Sequence, residues 1–574
     1  MTKTVTLETV PMEIKSAKTA KSAKTAATRA YNLVTTEDGG EKMVELKNDR
    51  LITALRDCTR EIPNLYDREP VVSIADLFYE LSSLEHELQH NSRTPGLRDL
   101  VNLVRAENQQ YLEQVNNMVT RGVLNFAGLR MLLSPGKEIV IHGNHLQGAR
   151  ICDVTYRSSF FGTYLEVEYE YITCTGNKFG IARDSAQVDA FKGVKDINSL
   201  NITLITEAQK RELAQRGAAY EKLAVGSHYK QFTGHMDVKK WSYWTPMRAT
   251  GRIMVDLTTY DQFQDGGRMR RNSENNTMAT IPADQLWMTD PYVQGFSFMA
   301  KQWGRFAVSD ITDIEFRTEA YDQLVMDPEK KAMIRALVED NSGGFSDIIS
   351  GKGGGCIFLL HGDPGVGKTL TAESVSELLQ RPLYSVAVGE LGTDTAQLEK
   401  SLRQILDVAQ IWNAVILIDE ADIFLEKRGH GDIMRNSCVS VFLRLTEYHQ
   451  DVMFLTTNRV TEFDPAFYSR ISVALKYDKL TPLNRRQVWQ NLLSASGMPT
   501  NIDVDKLCVH EINGRQIKNS IRLARSLAKS QGVEVSTEHL EQVLLMSAQF
   551  LEDIKYPCLS CVRETNHLPD ILYS

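Results

Sequence analysis

The sequence predicts an α/β core, a parallel sheet with flanking helices, extended by a C-terminal helical lid. A helical segment and a β-rich α+β N-terminal domain are predicted ahead of it. Three observations carry this expectation. Residues 356–361 form a strand-length apolar run that ends in glycines and passes directly into helical periodicity. Residues 414–418 (AVILI) and 452–456 (VMFLT) are further runs of consecutive apolar residues, the pattern of strands buried on both faces of a parallel sheet. Beyond Pro482, apolar positions recur at helical spacing: Val488, Trp489, Leu492 and Leu493, then Ile517, Ile521, Ala524 and Ala528.

A chain of 574 residues is too long for one hydrophobic core. The expected organisation is a disordered tail over 1–45, a helical segment over 46–135 and a β-rich domain over 136–302. An α/β core follows over 303–480, a helical lid over 481–550 and a C-terminal tail over 551–574. Hydrophobic residues make up 42% and charged residues 24%, a soluble globular balance. The net charge of −8 argues against broad nucleic-acid binding, which needs a basic face. No apolar run approaches the roughly 20 residues of a membrane helix. The N-terminus lacks a secretory apolar stretch, and Glu8, Glu13 and the scarcity of arginine argue against a mitochondrial presequence. Eight cysteines in so long a chain fit reduced thiols and an intracellular, cytoplasmic or nuclear setting.

In chain order, residues 15–26 (KSAKTAKSAKTA) duplicate a six-residue unit without one large apolar side chain. Such a segment cannot offset its ordering entropy, and it is read as a solvated tail or a basic arm for an acidic partner. Ile74, Leu77, Leu81, Leu84 and Leu88 align on one helix face, Thr94-Pro95-Gly96 breaks the run, and helix resumes over 97–132. A hairpin on its own domain and an intermolecular zipper both fit this pattern. Leu165, Val167, Tyr169 and Tyr171 alternate with Glu166, Glu168 and Glu170, a half-buried strand. Further strands are expected at 138–141 and 252–257, and a mobile polar loop at 264–280.

The chemistry lies in Gly362-Asp363-Pro364-Gly365-Val366-Gly367-Lys368-Thr369, a GxxxxGK[ST] loop between strand and helix, which defines a P-loop NTPase core. Its glycines let backbone N–H groups turn toward phosphate oxygens ahead of a helix N-terminus that begins near Leu370. Lys368 supplies charge for the β- and γ-phosphates of ATP, and Thr369 a hydroxyl for Mg²⁺. Asp419 and Glu420 end the buried run at 414–418, where α/β sheets place ligands. Asp419 is expected to hold Mg²⁺, and Glu420 to act as general base on water. Asn458, after the run at 452–456, is placed to orient that water, and Arg470 to reach a neighbouring subunit's nucleotide. Arg515 is placed to reach the γ-phosphate from the lid. Cys558, Cys561 and His567 are half a zinc site without a second pair, so ordinary thiols remain the simpler reading.

These elements in this order resemble the AAA+ superfamily. The phrases HGDPGVGKTLTAESVSELLQRPLYSV, LIDEADIFLEKR, SVFLRL, LTTNR, FDPAFYSRI and NGRQIKNSIR are similar to a group of AAA ATPases common in filamentous fungi. There a single ATPase module follows a poorly characterised N-terminal domain, matched here by NKFG, RGAAYEKL and GRIMVD. The resemblance implies hexameric rings with ATP-Mg²⁺ between subunits and hydrolysis coupled to remodelling a protein assembly. It assigns Lys368 to Walker A, Asp419 and Glu420 to Walker B, and Asn458 to sensor 1. It assigns Arg470 to the arginine finger and Arg515 to sensor 2. Three departures stand. No aromatic lies between Tyr384 and Trp412, where threading relatives carry a pore aromatic. The paired finger arginines reduce to Arg470, and many close relatives lack an arginine at the sensor 2 position. A nucleotide-gated scaffold is the alternative function, and a nucleic-acid remodeller a weaker one.

Overall fold

The computed structural model describes residues 30–35, 42–59, 62, 64–91, 93–160, 162–241, 243–264, 277–340, 355–392, 394–425, 433–447, 449, 451–459, 463–498 and 501–555. The chain divides into two units, Met1–Thr312 and Asp313–Ser574. The repeat at 15–26, most of the polar loop and the Cys558-Cys561-His567 group lie outside the described residues.

The first unit opens with a three-stranded antiparallel sheet of Tyr31–Thr35, Lys42–Leu46 and Val71–Ser73. The first of these strands and residues 42–45 of the second fall in the tail expected over 1–45 to be disordered, which is a correction. Val44 and Leu46 are buried in a core shared with Leu55, Leu77, Leu84 and Val101, partners that local composition does not reveal. Ser73 caps the next helix, its hydroxyl accepting from Ala75 N–H at 3.1 Å. The single helix expected there is two, Ile74–Tyr79 and Leu81–His90, interrupted at Glu80. Ile74, Leu77, Leu81 and Leu84 still share one core with Leu97 and Leu100 of the following helix, the packing of a hairpin within one unit. The helix expected over 97–132 breaks at Asn108 and gives way at Val123–Asn125 to a strand.

A five-stranded antiparallel sheet follows, in the order Ile202–Leu204, Glu138–Ile141, Gln147–Ser159, Gly162–Thr175, Lys178–Asp189. Its alternation matches the sequence: Leu165, Val167 and Tyr169 are buried, with Glu166, Glu168 and Glu170 half-buried between them. Val115, Leu124, Leu129 and Leu133 belong to this sheet's core, so a boundary at 135/136 cuts through one hydrophobic cluster. A seven-stranded antiparallel sheet completes the unit around helix Glu207–Ala224. Gln302–Ala307 pairs with Tyr292–Ser297, and Ile311–Thr312 with His228–Phe232. The boundary expected at 302/303 therefore moves to 312/313, because strand pairing carries those residues into the first unit. The strand expected over 252–257 is Gly251–Val255; Asp256 then caps a helix, accepting from Thr259 N–H at 2.9 Å.

The second unit holds a five-stranded parallel sheet. Its elements are labelled here β1 Cys356–Gly362, α1 Lys368–Leu379, β2 Leu383–Ala387, α2 Thr395–Trp412, β3 Val415–Asp419, α3 Ile433–Thr446, β4 Val452–Thr457 and β5 Val473–Tyr477. The strand order is β2-β3-β4-β1-β5, every pair parallel. Residues 356–360, 415–418 and 452–455 are at most 7% exposed, which explains their unbroken apolar character. Phe358 of β1 stacks on Phe454 of β4, ring centroids 4.9 Å apart. Beyond the sheet come α4 Pro482–Ala495, α5 Gly514–Gln531 and α6 Thr537–Lys555. Thr481 caps α4 with Pro482 in its first turn, as the sequence predicts. These helices bury Trp489, Ile517, Ile521, Ala524 and Leu540 in a core of their own. α6 runs to Lys555, past the expected end of the lid.

Two predictions follow from this packing. A Cβ on Gly217 would lie 1.9 Å from the Leu286 carbonyl oxygen. Alanine gains about 1 kcal/mol in helix propensity, yet a backbone clash must outweigh it, so Gly217→Ala should lower urea stability by about 1–3 kcal/mol. Equal or higher stability would refute the close approach. Phe454→Ala should cost about 3–5 kcal/mol by opening a cavity in the centre of the parallel sheet, read as a lower unfolding midpoint.

Candidate functional site

β1, β3 and β4 lie side by side, so the residues at their C-terminal ends meet at one edge of the sheet. From β1 the chain turns through Gly362, Gly365 and Gly367 at φ +143°, +77° and +110°, values that side-chain-bearing residues rarely adopt. A Cβ on Gly362 would sit 2.2 Å from the Tyr477 carbonyl oxygen of β5, which is a second reason for glycine there. Asp363 and Pro364 are exposed, Val366 is half-buried, and Leu370 in the first turn of α1 is 52% exposed.

Lys368 is 7% exposed and is the best-anchored side chain of the site. Its ammonium donates to the carbonyls of Gly362 and Asp363, each at 2.7 Å, and to Asn458 Oδ1 at 2.9 Å. Burial pushes its pKa below the usual lysine range, against the pull of Asp419, Asp363 and Asp422. The positive charge of Arg515, at the exposed start of α5, pushes in the same direction as burial.

Thr369 Oγ1 lies 3.5 Å from Asp419 Oδ1. The same carboxylate oxygen accepts from the hydroxyl of Thr456, and that hydroxyl in turn accepts from Glu420 N–H at 3.1 Å. One threonine on β4 thus ties together both members of the acidic pair on β3. Glu420 sits at φ +57° with an exposed side chain, a left-handed position that costs a non-glycine residue about 1–3 kcal/mol. Next along β4, Thr457 donates to Asp422 and accepts from Arg459 N–H at 3.0 Å, so the strand end that carries Asn458 is fixed from both sides.

The sheet edge therefore gathers Lys368, Thr369, Asp419, Glu420 and Asn458. Arg470 stands apart: its guanidinium donates to the carbonyls of Leu443 at 3.1 Å and Ala466 at 2.9 Å and to Glu447 at 3.2 Å, all in its own chain. Sequence reasoning missed Thr456 and Asp422. Their only signal is position, at the end of an apolar strand and just after an acidic pair.

The family described as "ATPase family associated with various cellular activities (AAA)" matches residues 358–478, which include the loop, the acidic pair, Asn458 and Arg470 but not Arg515. A domain of unknown function (DUF7025) matches residues 114–208, the stretch of the five-stranded sheet and its packing helix. Among curated proteins the chain is similar to a "Putative 26S proteasome regulatory subunit homolog" of Methanothermobacter thermautotrophicus, 27% identical over 32% of this chain and 53% of that protein. It is also similar to "Fidgetin-like protein 1" of Rattus norvegicus, 25% identical over 43% of this chain and 36% of that protein. The "ATP-dependent zinc metalloprotease FtsH" of Rhodothermus marinus is 26% identical over 32% of this chain and 29% of that protein. The chain spans about half or less of the length of these relatives. Residues 358–478 are thus similar to an AAA-family ATPase domain, a P-loop α/β module carried within a longer chain.

Proposed function

We propose that the protein binds ATP-Mg²⁺ at this sheet edge, hydrolyses it between subunits of a hexameric ring, and uses the cycle to remodel a protein assembly inside the cell. The observation that carries the reading is the convergence of Lys368, Thr369, Asp419, Glu420 and Asn458, tied together through Asn458 and Thr456. The left-handed glycines leave room for N–H groups to face an anion, and the Lys368 ammonium lies among the same backbone atoms. Thr369 and Asp419 would hold Mg²⁺, which supplies charge neutralisation of the phosphates. That ligand pair suits magnesium, whose remaining positions go to water and phosphate.

In the reaction, Glu420 accepts a proton from water as the water oxygen attacks the γ-phosphorus. The bond from that phosphorus to the β-bridging oxygen breaks, and ADP and phosphate leave. Asn458 accepts from Lys368 through Oδ1, which leaves its amide N–H₂ to hold the water or a γ-phosphate oxygen. Arg470 would act on a neighbour's nucleotide after giving up its bonds to Ala466 and Glu447. Arg515 would contribute charge from the start of α5. Membership of the filamentous fungal group belongs to this reading.

A nucleotide-gated scaffold is the second reading. Between β2 and α2, where threading relatives carry a pore aromatic, Val388 and Leu391 are 9% and 1% exposed, turned into their own unit. A segment of that kind offers no apolar grip to a threaded chain.

Glu420→Gln should keep ATP affinity and lower turnover by at least about 100-fold, the usual worth of a general base; unchanged phosphate release would eliminate the mechanism. Lys368→Ala should weaken ATP binding by about 10- to 100-fold, the worth of a charge-assisted bond. Sedimentation of Glu420→Gln with saturating ATP should show a hexamer, and a monomer under those conditions would remove the ring. If ATP-loaded Glu420→Gln alone reproduces the biological activity, the scaffold reading replaces remodelling.

A further inference from the structure

The phosphate loop is held from its outer side by the start of α5. Asn513, the residue that caps this helix, accepts from Gln516 N–H through Oδ1 at 2.9 Å, and its own N–H donates to Gln516 Oε1 at 2.8 Å. That reciprocal pair is all a capping box requires. The side-chain amide of Asn513 is left over, and it donates to the carbonyl of Pro364 at 3.3 Å. Beside it, Gly514 N–H donates to the carbonyl of Gly365 at 3.0 Å. The fit is close on both sides. A Cβ on Gly365 would stand 2.8 Å from Asn513 Cγ, and one on Gly514 would stand 3.2 Å from the Gly365 oxygen.

In a trans peptide the carbonyl and the N–H of one plane point in opposite directions. The Pro364 carbonyl shares its plane with Gly365 N–H, the Gly365 carbonyl shares the next with Val366 N–H, and no peptide among the described residues is cis. Holding both carbonyls on the α5 side therefore turns Gly365 N–H and Val366 N–H to the opposite side, as donors for an anion in the loop. We infer that Asn513 and the Gly514 N–H are positioning groups for the phosphate cradle, preorganising two backbone donors and making phosphate affinity depend on the docked position of α5. The inference rests on the ATP-binding reading above.

The test uses the full chain and calorimetric titration with ATP and ADP in magnesium buffer. Asn513→Ser keeps an equally good cap but has no group to reach Pro364. It should weaken both nucleotides by about five- to tenfold, the worth of one hydrogen bond. Its melting temperature without nucleotide should be unchanged and its kcat at saturating ATP within about twofold of the parent. Gly514→Pro removes the second donor at a helix position where proline is welcome, after a residue at φ −88°, ψ 169° that tolerates it. It should weaken ATP similarly, and if it unfolds, Asn513→Ser decides alone. Gln516→Ala breaks the capping box but leaves the Pro364 contact, so it should lower the melting temperature and spare ATP affinity. Parental affinity in Asn513→Ser, or an equal loss in Gln516→Ala, overturns the inference. A parent protein that binds no ATP overturns this inference and the function beneath it together.

Discussion

The ammonium of Lys368 is buried to 7% exposure with a full set of three acceptors, and most of the site depends on that arrangement. A lysine taken out of water without partners would lose several kcal/mol or lose its proton. Here two of its acceptors are carbonyls at the turn leaving β1 and the third is the amide of Asn458 beyond β4. The interaction therefore binds the loop to the neighbouring strand and sets the distance between the two ends. It also places positive charge where the acidic residues Asp419, Asp363 and Asp422 already lower the potential. An arriving triphosphate would take the places of the Gly362 and Asp363 carbonyls with its own oxygens, at little cost in reorganisation because the donor already stands in place on Asn458.

The acidic pair is organised with the same economy. Thr456 bonds Asp419 through its proton and Glu420 N–H through its lone pair, so one hydroxyl sets the orientation of a carboxylate and of the strained backbone beside it. A left-handed glutamate is a local cost that the surrounding structure over-determines, a feature concentrated at active sites. The contrast with Arg470 is instructive. Its guanidinium is satisfied inside its own chain by two carbonyls and Glu447, none of them in the sheet-edge cluster.

Much of the second unit was legible in the sequence because its signals are local. Residues 356–360, 415–418 and 452–455 are buried on both faces, so each of these stretches is wholly apolar and the runs announce themselves. The glycines of the loop occupy left-handed positions that leave little alternative. What stayed hidden depends on contacts between distant residues. Threonine in a strand reads as ordinary β propensity, so nothing marks Thr456 as the tie between Asp419 and Glu420. Nor does anything near Asn513 show that it reaches Pro364, 149 positions away. In the first unit, Tyr31–Thr35 and residues 42–45 were read as tail because the apolar surface they cover comes from helices far along the chain. Residues 303–307 were given to the wrong unit for the same reason: their partner strand, not their composition, decides where they belong.

The most direct test of the central claim is an experimental structure of the protein with Mg²⁺ and a non-hydrolysable ATP analogue. The account predicts β- and γ-phosphate oxygens within hydrogen-bond distance of the N–H groups of residues 365–369 and of Lys368 Nζ, with Glu420 facing the γ-phosphate. A nucleotide bound elsewhere, or one whose phosphates leave Lys368 on the Gly362 and Asp363 carbonyls with Glu420 turned away, would contradict it.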